Sequence, residues 1–363
     1  MKYAMTRRTA LQTAVGAMLA AALGCMGLAG CSAPAEQQKS EPAPVQQQEP
    51  QTRTVTDMAG RSVELPIDVK SVATFGSVGV LNAFVECMGK GDLIANEMPA
   101  NFTKSDKWAM QYQFAPQIKN GPVLETADGV DMEATMSLNP DLCITMMEDI
   151  AQQLEEAGLN VIVLTWNDTE DVKKAVDLMG QILGAEDRAA DYRTYFDETV
   201  AKATDRTSKL ADADKLAVLY GDVESLTNPH VISEWWIDAA GGKSVTAETH
   251  KKNSLEYTME ELLAWQPQVV FSSSINVDAL YANANIASLP AVADKRIYAV
   301  PTVAHVWGNR TVEQPLTVLW AMNKLYPELY SETELSGDIK YFYSHFFNYQ
   351  MSDAEIKGII NYQ

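Results

Sequence analysis

"AEDRAADYRTYFDETVAKATDRTSKL", residues 185–210, contains neither glycine nor proline. Tyr192, Tyr195, Phe196, Val200, Ala203 and Leu210 fall near one stripe at helical spacing, which predicts a single unbroken helix. Its 26 residues would span ~39 Å at ~1.5 Å per residue, enough to cross between two lobes. A long surface helix of one domain is the plainer alternative.

Short apolar runs alternate with helical patterns on both sides of this rod. Before it, "SVATF" (71–75), "DLIAN" (92–96), "DLCITM" (141–146) and "NVIVLT" (160–165) read as strands. After it, "KLAVLYG" (215–221), "QVVFSS" (268–273) and "RIYAVP" (296–301) do the same. Such alternation gives parallel sheets covered by helices. "RTVTDMAGRSVELP" opens the folded part as a β-hairpin. A helix starting near Pro315 follows the last strand, and a helical tail, 331–363, is expected to cap the second lobe. The fold class is therefore α/β: two Rossmann-like lobes with parallel sheets, 53–168 and 212–363, joined through a helical region, 169–211.

One unit occurs twice. "DMEATMSLNPDLCI" and "TMEELLAWQPQVVF" both read Met-Glu, six residues, proline, then an apolar run. Glu133 and Glu260 take the same place in each, on the first turn of a helix.

The two ends of the charge balance differ. Residues 1–31 carry Lys2, Arg7 and Arg8, then a small-residue apolar run ending in "LAGC", the pattern of an export signal. Residues 32–52, rich in Gln, Pro, Glu and Ala, cannot offset their ordering entropy and are expected to be a flexible tether. Removing residues 1–30 leaves 25 basic and 48 acidic groups, a formal charge of −23. That balance excludes nucleic acid as a general partner. Cys87 and Cys143 remain in the folded part, as two buried thiols or, outside the cytoplasm, a pair. No zinc, iron–sulfur, GxSxG, P-loop or HExxH spacing is present, and four histidines are few for hydrolysis, so the chain is not expected to be an enzyme.

Taken in order, "VTDMAGRSVELP", "DMEATMSLNPDLCIT", "EEAGLNVIVL", "WWIDAAGGKSV", "MEELLAWQPQVVF", "DKRIYAVP" and "VLWAMNKLYPELY" resemble the substrate-binding proteins of bacterial ABC importers for iron–siderophore, haem and cobalamin. "LAGC" resembles a lipobox, which implies lipidation of Cys31 and an extracytoplasmic, membrane-anchored protein, expected to be a monomer. The resemblance implies two lobes joined by one long rigid helix, with the ligand in the cleft between them. It also implies that Glu133 and Glu260 dock onto an ABC permease dimer with its ATPase. The guest would be a small-molecule metal chelate, an iron complex such as a siderophore or haem, with no cofactor of the protein's own. Cobalamin and oxyanions such as molybdate also fit relatives of the fold. A nitrogenase-like redox enzyme or a sensory or adhesive lipoprotein are the rivals from other classes.

Ligands in parallel α/β sheets bind beyond the carboxyl ends of strands. That rule selects Phe75 and Ser77, Met98, Met146 and Met147, and Trp166 in the first lobe. In the second it selects Ser273 and the loop "TVAHVWGNR", with His305, Trp307 and Arg310. Arg310 suits a carboxylate, hydroxamate or oxyanion, Trp307 a flat ligand, and His305 a metal. Of the adjacent Trp235 and Trp236, one faces the core and the other, taken as Trp236, the cleft.

Overall fold

The chain first pairs Thr52–Thr56 (β1) with Ser62–Pro66 (β2), antiparallel, Val55 facing Val63. At the hairpin tip the buried Asp57 carboxylate accepts the Arg61 amide and the Val163 amide, while Met58 donates to the Val163 carbonyl. The hairpin is thereby fixed to the edge of the first sheet. The computed structural model describes residues 51–166, 168–274 and 276–362. The export segment with Cys31, and all but Gln51 and Thr52 of the tether, lie outside the described residues.

The first sheet is built from Val72–Thr74 (β3), then the wholly buried helix Val78–Cys87 (α1), the short helix Met132–Leu138 (α2), Leu142–Thr145 (β4), Glu148–Glu156 (α3) and Val161–Val163 (β5). Its order is β3-β4-β5, all parallel, with Ile144 between Thr74 and Ile162. The strands are buried on both faces, as parallel strands between helices must be.

Residues 92–96 do not form the expected strand; Gly91–Leu93 is a 3-10 turn and only Ile94 bridges Val72. The Gln117 amide donates to the carbonyls of Gly91 and Ile94, occupying groups a strand would need. The buried Asn96 side chain stands in for a strand instead. It accepts the Thr74 amide and donates to the Thr74 carbonyl, covering the edge of β3.

Glu170–Leu183 (α4) leads into the rod, Glu186–Thr207 (α5), across Gly184, whose left-handed φ of 62° ends the first helix. At Gly180 a Cβ would lie 2.6 Å from that of Ala189, so only glycine lets the two helices cross this closely. The rod is 22 residues, ~33 Å at ~1.5 Å per residue, and stops three residues before the predicted end. Tyr192, Phe196 and Ala203 are buried along it.

The second sheet takes Ala217–Gly221 (β6), Ile232–Ala239 (α6), Lys243–Ser244 (β7), Met259–Trp265 (α7), Val269–Ser272 (β8) and Ile297–Ala299 (β9). Its order is β7-β6-β8-β9, all parallel, Val270 pairing Leu219 and Phe271 pairing Tyr298. The two sheets are separate. Gln314–Leu325 (α8) follows, with Pro315 in its first turn as expected.

The tail forms Glu332–Phe346 (α9) and Asp353–Ile360 (α10). It does more than cap the second lobe. The Phe114 ring, from the first half of the chain, stacks on Tyr343 at 5.6 Å and packs on Phe347 at 4.8 Å. Arg188 of the rod donates to the carbonyls of His345 and Phe346. The aromatic face of α9 is wide enough to seal the rod and the first lobe together, which is why one buried cluster runs from Val55 to Ile360.

The repeated unit is a structural repeat. Helices α2 and α7 each have seven residues, with the side chain of Asp131 or Thr258 capping the first turn. Each ends on a left-handed residue, Asn139 at φ 46° and Gln266 at φ 48°, directly before the proline and the next strand. Glu133 and Glu260 are both exposed.

Candidate functional site

A cavity of about 610 Å³ lies between the two halves, and its walls have opposite character. Gly76, Ser77 and Val80 border it where β3 passes into α1, and Met146 and Trp166 follow β4 and β5. An excursion of 101–108 adds Asn101, Phe102 and Trp108. The second wall is polar and basic: His230 before α6, the stretch Lys251–Asn253, and His305, Asn309 and Arg310 after β9. No Asp or Glu lines it among the described residues, in a chain of formal charge −20.

Packing within the first lobe holds most of the aromatic wall in place. Trp166 stacks on Phe84 at 5.2 Å and its ring N–H donates to the Met146 sulfur at 3.1 Å. Trp108 sits 4.9 Å from Phe102 and 5.3 Å from His305, so this tryptophan meets the opposite wall directly.

The basic wall is held at one end. Arg310 donates to the Asn253 side chain at 2.7 Å, leaving its Nε without a protein partner. The Nδ1 atoms of His230 and His305 also lack one. Burial pushes His305 down to about 3, with the positive Lys107 nearby adding to it. Burial likewise pushes His230 down to about 4, assisted by Arg310. Both imidazoles are therefore uncharged at neutral pH, each with a nitrogen free to donate or to coordinate. The permanent positive charge comes from Arg310, Lys251 and Lys252.

Of the residues chosen from the sequence, Ser77, Met146, Trp166, His305 and Arg310 line the cavity. Six others do not reach it. Phe75 and Met98 are buried in the first-lobe cores. Trp236 is fully buried, its N–H given to the Gly308 carbonyl, and Trp307 gives its N–H to Glu313. Both are fully buried, with the polar atom satisfied inside the protein. Its neighbour Trp235 is part-buried and stacks on Phe196 of the rod. Met147 is exposed beside Gly76, and Ser273 binds back to Gly221; neither borders the cavity. Cys87 and Cys143 are separate buried thiols. Sequence reasoning missed Trp108, His230 and the Lys251–Lys252 pair. "KK" beside "H" in so acidic a chain was the available signal for the last.

The model of a family described as periplasmic binding protein matches residues 91–304. This chain belongs to that family. The binding protein is 25% identical over 160 residues to an iron(3+)-hydroxamate-binding protein of Bacillus subtilis, a match covering 43% of this chain and 46% of that relative. It is 22% identical over 340 residues to the molybdate-binding protein MolA of Haemophilus influenzae, covering 81% and 91% of the two chains. A periplasmic solute binding protein from Veillonella parvula shares its fold with a TM-score of 0.73 at 24% identity, over 86% and 97% of the two chains. Among the described residues no helix is long and apolar enough to cross a membrane, and no group of three or more His, Cys, Asp or Glu could hold a metal.

Proposed function

We propose that this chain is the extracytoplasmic solute-binding component of an ABC importer and that it captures an anionic metal chelate, an iron complex of the siderophore or haem type. The observation that carries the reading is the pairing of walls. An aromatic, thioether-bearing face opposes a face with three cations, two neutral imidazoles and no carboxylate. Aromatic surface suits the flat organic part of a chelate, and the cations suit its net negative charge. The two imidazoles offer nitrogen donors to a metal whose chelator leaves positions open. The volume of about 610 Å³ falls within the roughly 300–1,000 Å³ of sites that enclose organic guests.

A second reading, a bare oxyanion, is favoured by the cationic wall and by the near full-length match to a molybdate-binding protein. The volume weighs against it. Absorption spectroscopy and native mass spectrometry on protein from its own host separate the two. A Soret or ligand-to-metal band with a bound mass supports a chelate. A rise in melting temperature with molybdate, and none with ferric hydroxamates or haem, overturns the chelate in favour of the oxyanion.

The same reading makes Cys31 the lipid-bearing residue and Glu133 and Glu260 the contacts to the permease dimer. The equal length, capping and exposure of α2 and α7 support this, since two matched carboxylates suit a partner with two-fold symmetry. Glu133→Ala with Glu260→Ala is expected to abolish uptake and leave guest binding intact; normal uptake by the double variant removes the docking assignment.

A further inference from the structure

The cleft loop 302–311 is gripped from both lobes at one peptide. The Ala304 amide donates to Glu313 Oε1 at 2.9 Å and the His305 amide to Glu313 Oε2 at 2.7 Å. The Ala304 carbonyl accepts from Gln111 Nε2 at 2.6 Å, and Gln111 belongs to the short helix Gln111–Phe114 of the first half of the chain.

Each grip is itself backed by buried partners. Gln111 Nε2 also donates to the Gly79 carbonyl, and Gln111 Oε1 accepts from Asn82 Nδ2 at 3.0 Å. Two carbonyls on one side and an N–H on the other fix which way this amide points. Asn82 in turn accepts from the Thr74 hydroxyl at the end of β3. On the far side, Glu313 accepts from the Trp307 ring N–H, the Thr311 hydroxyl and the Tyr343 hydroxyl of α9. Thr74, Asn82, Gln111, Ala304, Glu313 and Tyr343 have no measurable exposure. The path therefore runs, without touching water, from the first sheet through the cleft loop to the C-terminal helix.

We propose that Gln111 and Glu313 are positioning residues of the binding site, which hold the His305 loop in its working shape before a guest enters. The inference rests on reading the cleft as the guest site, and neither residue lines that cleft. A buried carboxylate with five donors leaves the loop no second arrangement that satisfies as many groups. Because Ala304 is bound from both halves, opening the cleft at this floor requires breaking buried polar bonds. The guest thus meets His305 and Arg310 already placed, and the ordering cost is met during folding rather than at capture.

Hydrogen exchange on the full chain without any guest tests this. In Gln111→Met, which keeps volume and removes the amide, amides of residues 303–307 are expected to exchange about tenfold faster or more, with those of β6 and β8 unchanged. Glu313→Gln is expected to do the same, because a carboxamide must present its NH2 to either Ala304 N–H or His305 N–H. Tyr343→Phe, the mildest change, covers the case in which Glu313→Gln does not fold, and a smaller loop-confined acceleration supports the proposal. Unaltered loop exchange in Gln111→Met overturns it. Equal acceleration in every strand also overturns it, since that is loss of global stability. No guest takes part, so a wrong guest assignment leaves the outcome unchanged.

Discussion

The two walls of the cleft solve different problems. Trp166 and Phe102 are held by ring packing within the first lobe, and Trp108 packs both on Phe102 and on His305 of the other wall. Arg310, His230 and His305 each carry a buried nitrogen without a protein partner. The contrast extends to the tryptophans themselves. Trp236 and Trp307 spend their N–H groups on Gly308 and Glu313 and belong to the core, whereas Trp108 has the cleft before it. Burial separates the two kinds: Trp236 and Trp307 have no exposed surface, whereas Trp108 is only part-buried.

The largest expected effect separates those two kinds of tryptophan. Trp236→Ala should cost about 3–5 kcal/mol of stability by urea denaturation, as a fully buried aromatic does. Trp108→Ala should cost well under half of that while weakening guest binding; equal destabilisation by both would erase the distinction. Next, Arg310→Ala should weaken binding of an anionic chelate by roughly 1.5–3 kcal/mol, read by titration calorimetry, because it removes a charged hydrogen-bond donor. Unchanged affinity would mean the basic wall does not face the guest.

Acidity gives the third test. His230 and His305 titrate below the ordinary imidazole value of 6.5, at about 4 and about 3. Depressed values mean the unfolded chain binds these protons first. The stability they contribute is fully present above pH 6.5 and is lost as pH falls towards 4 for His230 and towards 3 for His305. The melting temperature should drop by at least about 2–4 °C across that window, and His230→Gln with His305→Gln should flatten the drop. The smallest effect belongs to the exposed pair. Lys251→Ala with Lys252→Ala should slow guest association at low salt by a few fold and change little at high salt.

The rod, the hairpin, the two parallel sheets and the strand ends that border the cleft were legible because periodicity and punctuation record them. The site was less so. Ser77, Met146, Trp166, His305 and Arg310 sit just past strands or in the loop after β9, where the strand-end rule looks. Trp108, His230 and Lys251 sit on excursions whose spatial course no period encodes. Residues 92–96 misled because an asparagine side chain does the work of a strand, and hydrophobicity cannot distinguish the two. The tail misled for a related reason: its aromatic face is evident, but not that Phe114 lies beneath it.

That late-arriving helix has a consequence for how the molecule is made. Until residues 331–346 emerge, Phe114 lacks Tyr343, Tyr192 lacks Phe346, Tyr195 lacks Phe342, and Glu313 lacks the hydroxyl of Tyr343. The last tenth of the chain is therefore expected to complete the packing of these rings. A nascent or clipped polypeptide ending before that point is expected to leave aromatic surface of the rod and first lobe uncovered and to be more open to proteolysis than the whole chain.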